Sequence, residues 1–121
     1  MTPSHDLVTD LVGGFPELQT LLDDHLADQE GELLPYLLLA DVAGWAHATS
    51  PSDPHGVGEV EGWLEAAYIR AEAAEKDLIG LGFVEAIPYR PDGAPLLVRL
   101  GPELTQVAAD LGLLTSPTEL G

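Results

Sequence analysis

The segment from Leu33 to Thr49 constrains the fold most. Its residues are apolar around nearly the whole circumference of a helix, Leu34, Leu37, Leu38, Val42 and Trp45 among them. A helix that is apolar all round has no face to give to water, so it belongs at the centre of a domain. Its neighbours read as the helices laid around it. Ser4 to Val12 places Leu7, Val8 and Leu11 on a short helix that Gly13 and Gly14 end. Pro16 suits a first helical position, and Phe15, Leu18, Leu22 and Leu26 then recur at intervals of three and four, up to a stop at Gly31. Asp53, before Pro54 in the loop Thr49 to Pro54, is placed to cap the helix that follows.

In the second half, Val60, Leu64, Ala67, Ala71, Ala74, Leu78 and Leu81 are spaced alternately by four and three, a heptad seam. Nothing in the alanine- and glutamate-rich stretch around residue 72 breaks a helix, so the spacing allows one helix over 58–86, before Pro88. Arg90 to Gly93 reads as a turn, and Leu96 to Leu100 as a short strand or a helical turn. Gly101-Pro102 opens a last helix with Leu104, Val107, Ala108 and Leu111 on one face and Gly112 as its stop, and 115–121 reads as a frayed tail. The expectation is one all-α domain over 1–121, of five or six helices, arranged as a bundle or a short stack of helical hairpins. A length of 121 residues fits one domain and is enough for a core without disulfides.

Charge narrows the partners. Four Lys and Arg stand against 21 Asp and Glu, a formal net charge of −17. The first 69 residues hold thirteen of the acids and no Lys or Arg at all. Such a field repels nucleic acid and attracts basic proteins. Solubility or salt adaptation would also favour acids, but neither requires a first half free of lysine and arginine. No cysteine is present, which removes disulfides and thiolate chemistry. No apolar run is long enough for a membrane span, and no signal peptide is visible, so a cytoplasmic location is expected.

The catalytic and ligand-binding patterns are weak. Gly56, Gly58 and Gly62 follow a loop instead of a strand, and Glu59 and Glu61 would repel a phosphate there. An EF-hand register with Gly31 at its sixth position would put Leu26 and Leu37 at ligand positions. His5, His25, His47 and His55 show no metalloprotease spacing, and no serine sits in a nucleophile elbow. No catalytic residue, metal site or cofactor is therefore expected, and no enzymatic activity. Asp41 lies four residues after Leu37 and four before Trp45, on one face of the apolar helix. It reads as a buried carboxylate held by the Trp45 indole, a loop amide or an arginine.

The order Phe15-Pro16-Glu17-Leu18, then Gly31-Glu32-Leu33-Leu34-Pro35 leading to Asp41 and Trp45, continues through Leu78-Ile79 and Phe83-Val84-Glu85 to Leu100-Gly101-Pro102-Glu103-Leu104. This order resembles a family of short, uncharacterised acidic bacterial helical proteins, some of them similar to toxin-immunity proteins. The resemblance spans roughly residues 15 to 111. It implies a small helical fold and two helices meeting near residues 71–75, where the spacing permits one. It carries over no active site.

The functional expectation is an acidic protein-binding module, an immunity protein that neutralises a basic toxin by occluding its surface. The acidic face combines Glu17, Asp23, Asp24, Asp28, Glu30 and Glu32, extended by Glu59, Glu61 and Glu65 if their helix packs alongside. Phe15, Trp63 and Tyr68 are the candidate apolar anchors, since charge steers an encounter and buried aromatic side chains hold it. The alternative is a small-ligand or regulatory helical domain whose acidity serves only solubility or salt adaptation.

Overall fold

The computed structural model describes residues 3–88 and 92–113, and none of these lies in a strand. Seven α-helices occur among the described residues: α1 Pro3–Gly14, α2 Gln19–Asp28, α3 Pro35–Thr49, α4 Pro54–Arg70, α5 Ala73–Leu78, α6 Ala94–Leu97 and α7 Pro102–Asp110. A 3-10 turn, Pro16–Leu18, leads into α2, and a wide π-helical turn, Ile79–Val84, continues α5. The described residues are all-α as expected, with seven helices among them in place of five or six.

The centre is α3, as its composition requires. It packs against α1, α2, α4, α6 and the π turn. Leu38, Leu39, Val42, Ala43 and Ala46 are buried along its length. The helix is not apolar all round in use, however: Tyr36 and Leu37 are about half exposed. The buried side chains of α1, α3, α4, α7 and the π turn form one apolar cluster, with Leu21 and Leu22 of α2 packed against it.

The single long helix expected over 58–86 is two. Ala71 (ψ 157°) and Glu72 (ψ 177°) are extended, so α4 stops at Arg70 and the chain turns before α5. Propensity does not see this break, because its cause is a cap. The Glu72 side chain accepts from the backbone of Glu75, and Glu75 Oε1 accepts from Glu72 N at 3.3 Å, a reciprocal capping box that starts a new helix. The seam is consequently interrupted beyond Ala67, with Ala74 and Leu81 exposed although Leu78 is buried. The two-helix arrangement is the one that the resemblance implies.

The π turn has a packing cause. Glu85 N donates to Gly80 O, five residues back, which widens the helix where it meets α3. A Cβ at Gly82 would lie 3.1 Å from the Leu39 Cβ, so the missing side chain is what allows this approach. Other sequence signals appear as read. Asp53 Oδ1 accepts from Gly56 N at 3.0 Å at the start of α4. Gly31 (φ 86°) and Gly112 (φ 83°) adopt the left-handed conformation after α2 and α7. Leu96 to Leu100 begins in the short helix α6 and contains no strand. The expected turn Arg90 to Gly93 lies partly, and the expected tail 115–121 wholly, outside the described residues.

One long-range bond set fixes α7. Glu65 Oε2 accepts from Glu103 N and Glu65 Oε1 from Leu104 N, each at 2.9 Å. A carboxylate of α4 thus satisfies two free N–H groups in the first turn of α7, where a helix N-terminus favours negative charge. Gly101 permits this contact, since a Cβ there would lie within 2.5 Å of the Glu65 side chain. Glu65→Ala should therefore lower stability by about 2–3 kcal/mol, and Glu65→Gln by less, because an amide oxygen still accepts one of the two bonds. Urea denaturation checks this, and an unchanged midpoint for Glu65→Ala would contradict it.

Candidate interaction surface

Six of the nine acids expected on one face are exposed and lie within one stretch of chain. Glu17 begins the 3-10 turn, Asp23, Asp24 and Asp28 sit on α2, and Glu30 and Glu32 follow in the connection to α3; all six are exposed. Gln19 donates to Asp23 at 3.0 Å, which leaves its charge uncompensated. Among the described residues, carboxylates contact a basic side chain within 4.0 Å only at histidine: His25 with Asp41 at 3.7 Å and His55 with Glu59 at 3.5 Å. Among the described residues, no lysine or arginine pairs with the segment from Glu17 to Glu32.

The extension across α4 keeps only Glu59 on the surface. Glu61 and Glu65 are both buried and leave the acidic face. The reason is the phase of the helix. Its buried stripe runs through Val57, Val60, Glu61, Leu64 and Glu65, so the positions next to the apolar residues face inward as well. Glu65 caps α7, as described above. Glu61 is fully buried, and neither of its oxygens has a hydrogen-bond partner. Burial pushes the carboxyl up to about 8, only partly opposed by the positive charge of Arg99. Arg99 spends its own donors on Ser50 Oγ (3.2 Å) and Pro95 O (2.9 Å). At neutral pH Glu61 is thus mainly a neutral carboxylic acid inside the core.

Asp41 is not the buried carboxylate that the spacing suggests. Its side chain is 52% exposed, and Trp45 is half-buried. The buried polar residue of this region is His25, whose Nε2 accepts from Leu34 N at 2.9 Å just before α3. That role puts the proton of the neutral ring on Nδ1, the nitrogen facing Asp41. His25 follows Leu18 by seven residues on the inner face of α2, a position that marks it in the sequence as a core residue.

The expected aromatic anchors Phe15, Trp63 and Tyr68 are half-buried against the core. Tyr68 is also partly covered by Lys76, whose Nζ lies 5.3 Å from the ring centre. The large apolar side chains most open to solvent among the described residues are Tyr36, Leu37, Ile69, Leu81 and Val98. Tyr36 and Leu37 open α3, four and five residues after Glu32. Sequence reasoning passed over a second feature, a cleft of about 290 Å³ between α1 and the corner joining α4 to α5. Asp6, Asp10, Trp63, Arg70 and Glu75 line it. The spacings Asp6–Asp10 and Trp63–Ala67–Arg70 mark one face of each helix, but only the tertiary arrangement, in which α1 packs against α5, brings those faces to one cleft.

No group of three or more His, Asp or Glu side chains converges on a metal site among the described residues, and no helix there is long and apolar enough to cross a membrane. Comparison with protein-family models, curated proteins and solved structures finds no match to this chain. The geometry of its own residues therefore carries the functional argument.

Glu61 generates a pH signature. Its carboxyl is raised from 4.5 to about 8 in the folded protein, so the native state holds a proton that the unfolded chain releases between those values. Stability then falls as pH rises through this window. Glu61→Gln, which keeps the shape and removes the ionisation, should match the wild type near pH 4 and exceed it by a few kcal/mol near pH 8. Denaturation at the two pH values checks this, and a constant difference between the proteins would contradict it.

Proposed function

We propose that this chain is an acidic protein-binding module that docks a basic protein through the segment Glu17 to Glu32. The reading rests on one observation: six exposed carboxylates lie on a short stretch of chain, and no lysine or arginine of the described protein pairs with them. Internal ion pairs would cancel such a field; unpaired, it projects into solvent and raises the rate of encounter with a positive surface. Exposed Tyr36 and Leu37 directly after this segment offer the apolar contact that charge steering does not supply. They replace Phe15, Trp63 and Tyr68 as anchors.

The partner we favour is a toxin with a basic substrate groove, occluded by this surface. That choice draws on the resemblance to immunity proteins and on the complementarity between a negative helical edge and a groove built for an anionic substrate. A basic partner of another kind would use the same residues in the same way.

The test begins with affinity capture from the native host and identification of the bound protein by mass spectrometry. The triple variant Asp23→Asn, Asp24→Asn, Asp28→Asn removes three charges without touching the inner face of α2. Association with the captured partner should slow by about tenfold at low ionic strength. The deficit should shrink at physiological salt, where the Debye length is about 8 Å. Stopped-flow rates at two salt concentrations measure both effects. Equal rates for wild type and variant at low salt would show that this segment is not the docking surface.

A further inference from the structure

We propose that the cleft between α1 and the α4–α5 corner binds a free basic amino acid, recognised through its carboxylate, its cationic groups and its methylene chain together. This site is separate from the acidic segment and goes beyond the reading of that segment.

The whole sequence has only four Lys and Arg. Arg99 donates to Ser50 and Pro95, and Lys76 lies over the Tyr68 ring. Arg70 lines a cleft that it shares with Asp6, Asp10 and Glu75, yet no carboxylate oxygen of the described residues lies within 4.0 Å of it. Glu75 is engaged in the capping box with Glu72, but Arg70, Asp6 and Asp10 do not satisfy one another and so can meet a ligand that carries both signs. Arg70 offers a planar donor pair suited to a carboxylate. Asp6 and Asp10, one helical turn apart on α1, offer acceptors for ammonium or guanidinium groups.

The remaining lining selects the rest of the ligand. Trp63 presents an aromatic surface, and Leu7 and Ala67 an apolar floor, which suit a chain of methylene groups ending in a cation. Three carboxylates against one guanidinium favour a ligand of net positive charge over a neutral or acidic amino acid. A volume of about 290 Å³ admits a single amino acid and is too small for a folded peptide segment.

The experiment uses the full chain, labelled with ¹⁵N, at low ionic strength. L-lysine, 1,5-diaminopentane (lysine without its carboxylate) and Nα-acetyl-L-lysine methylamide are titrated in turn. L-lysine should give saturable shifts at residues 6–10 and 63–75, and bind more tightly than either analogue. Arg70→Gln, which removes a side chain with no carboxylate partner in the fold, should weaken L-lysine by at least about tenfold and leave the diamine within about twofold. Asp10→Asn should weaken both. Three results would overturn the proposal: no saturable shift at these residues up to about 10 mM lysine, equal weakening of lysine and diamine by Arg70→Gln, or capped lysine binding as tightly as the free amino acid. The last would make the cleft a pocket for a lysine side chain of another protein. The spectrum of each variant, recorded without ligand, establishes that it is folded. None of these outcomes depends on whether residues 17–32 dock a protein.

Discussion

The bond set from Glu65 to the first turn of α7 holds α7 against α4. The helix α7 has a proline at its first turn and no side-chain cap of its own. Its free N–H groups at Glu103 and Leu104 are met instead by a carboxylate from α4, 38 and 39 residues earlier in the chain. With α7 fixed there, Leu104 and Ala108 enter the core. Two constraints meet at one carboxylate: a buried charge needs partners, and a helix start needs acceptors.

The same helix carries the opposite case one turn earlier. Glu61 is as deep as any residue of the core, has no hydrogen-bond partner, and avoids the cost of a buried charge by holding its proton. Two acids of one helix thus leave the surface by different routes, Glu65 through hydrogen bonds and Glu61 through protonation. The acids of α2 and its connection to α3 do neither. They remain in solvent with no lysine or arginine partner among the described residues, and this contrast between spent and unspent carboxylates underlies the proposed docking surface.

Much of the fold was legible in the sequence because its signals are local. Leu38, Val42 and Ala46 fix the inner face of α3, Gly31 and Gly112 fix two helix ends, and Asp53 caps α4. The failures share a cause. The break at Ala71 depends on the reciprocal bonds of Glu72 and Glu75, which propensity scales do not contain. Glu61 and Glu65 read as surface residues because they are charged, whereas the phase of α4 turns both inward. Asp41 went wrong the other way, since the apolar circumference of α3 hides which side is open. The cleft at Arg70 was invisible for a further reason: Gly14 at the end of α1 and Pro54 at the start of α4 are 40 residues apart, and no periodicity reports which helix faces share a cleft.

The account depends on acids of α4 having been taken into the core as structural groups. The most direct test is a carboxyl-detected NMR titration of the intact protein with the Glu61 side chain assigned. The account predicts a midpoint near 8 for Glu61, with the protein folded throughout. A midpoint at its ordinary value of 4.5 would place Glu61 in water, return it to the surface charge and contradict the packing of α4 described here.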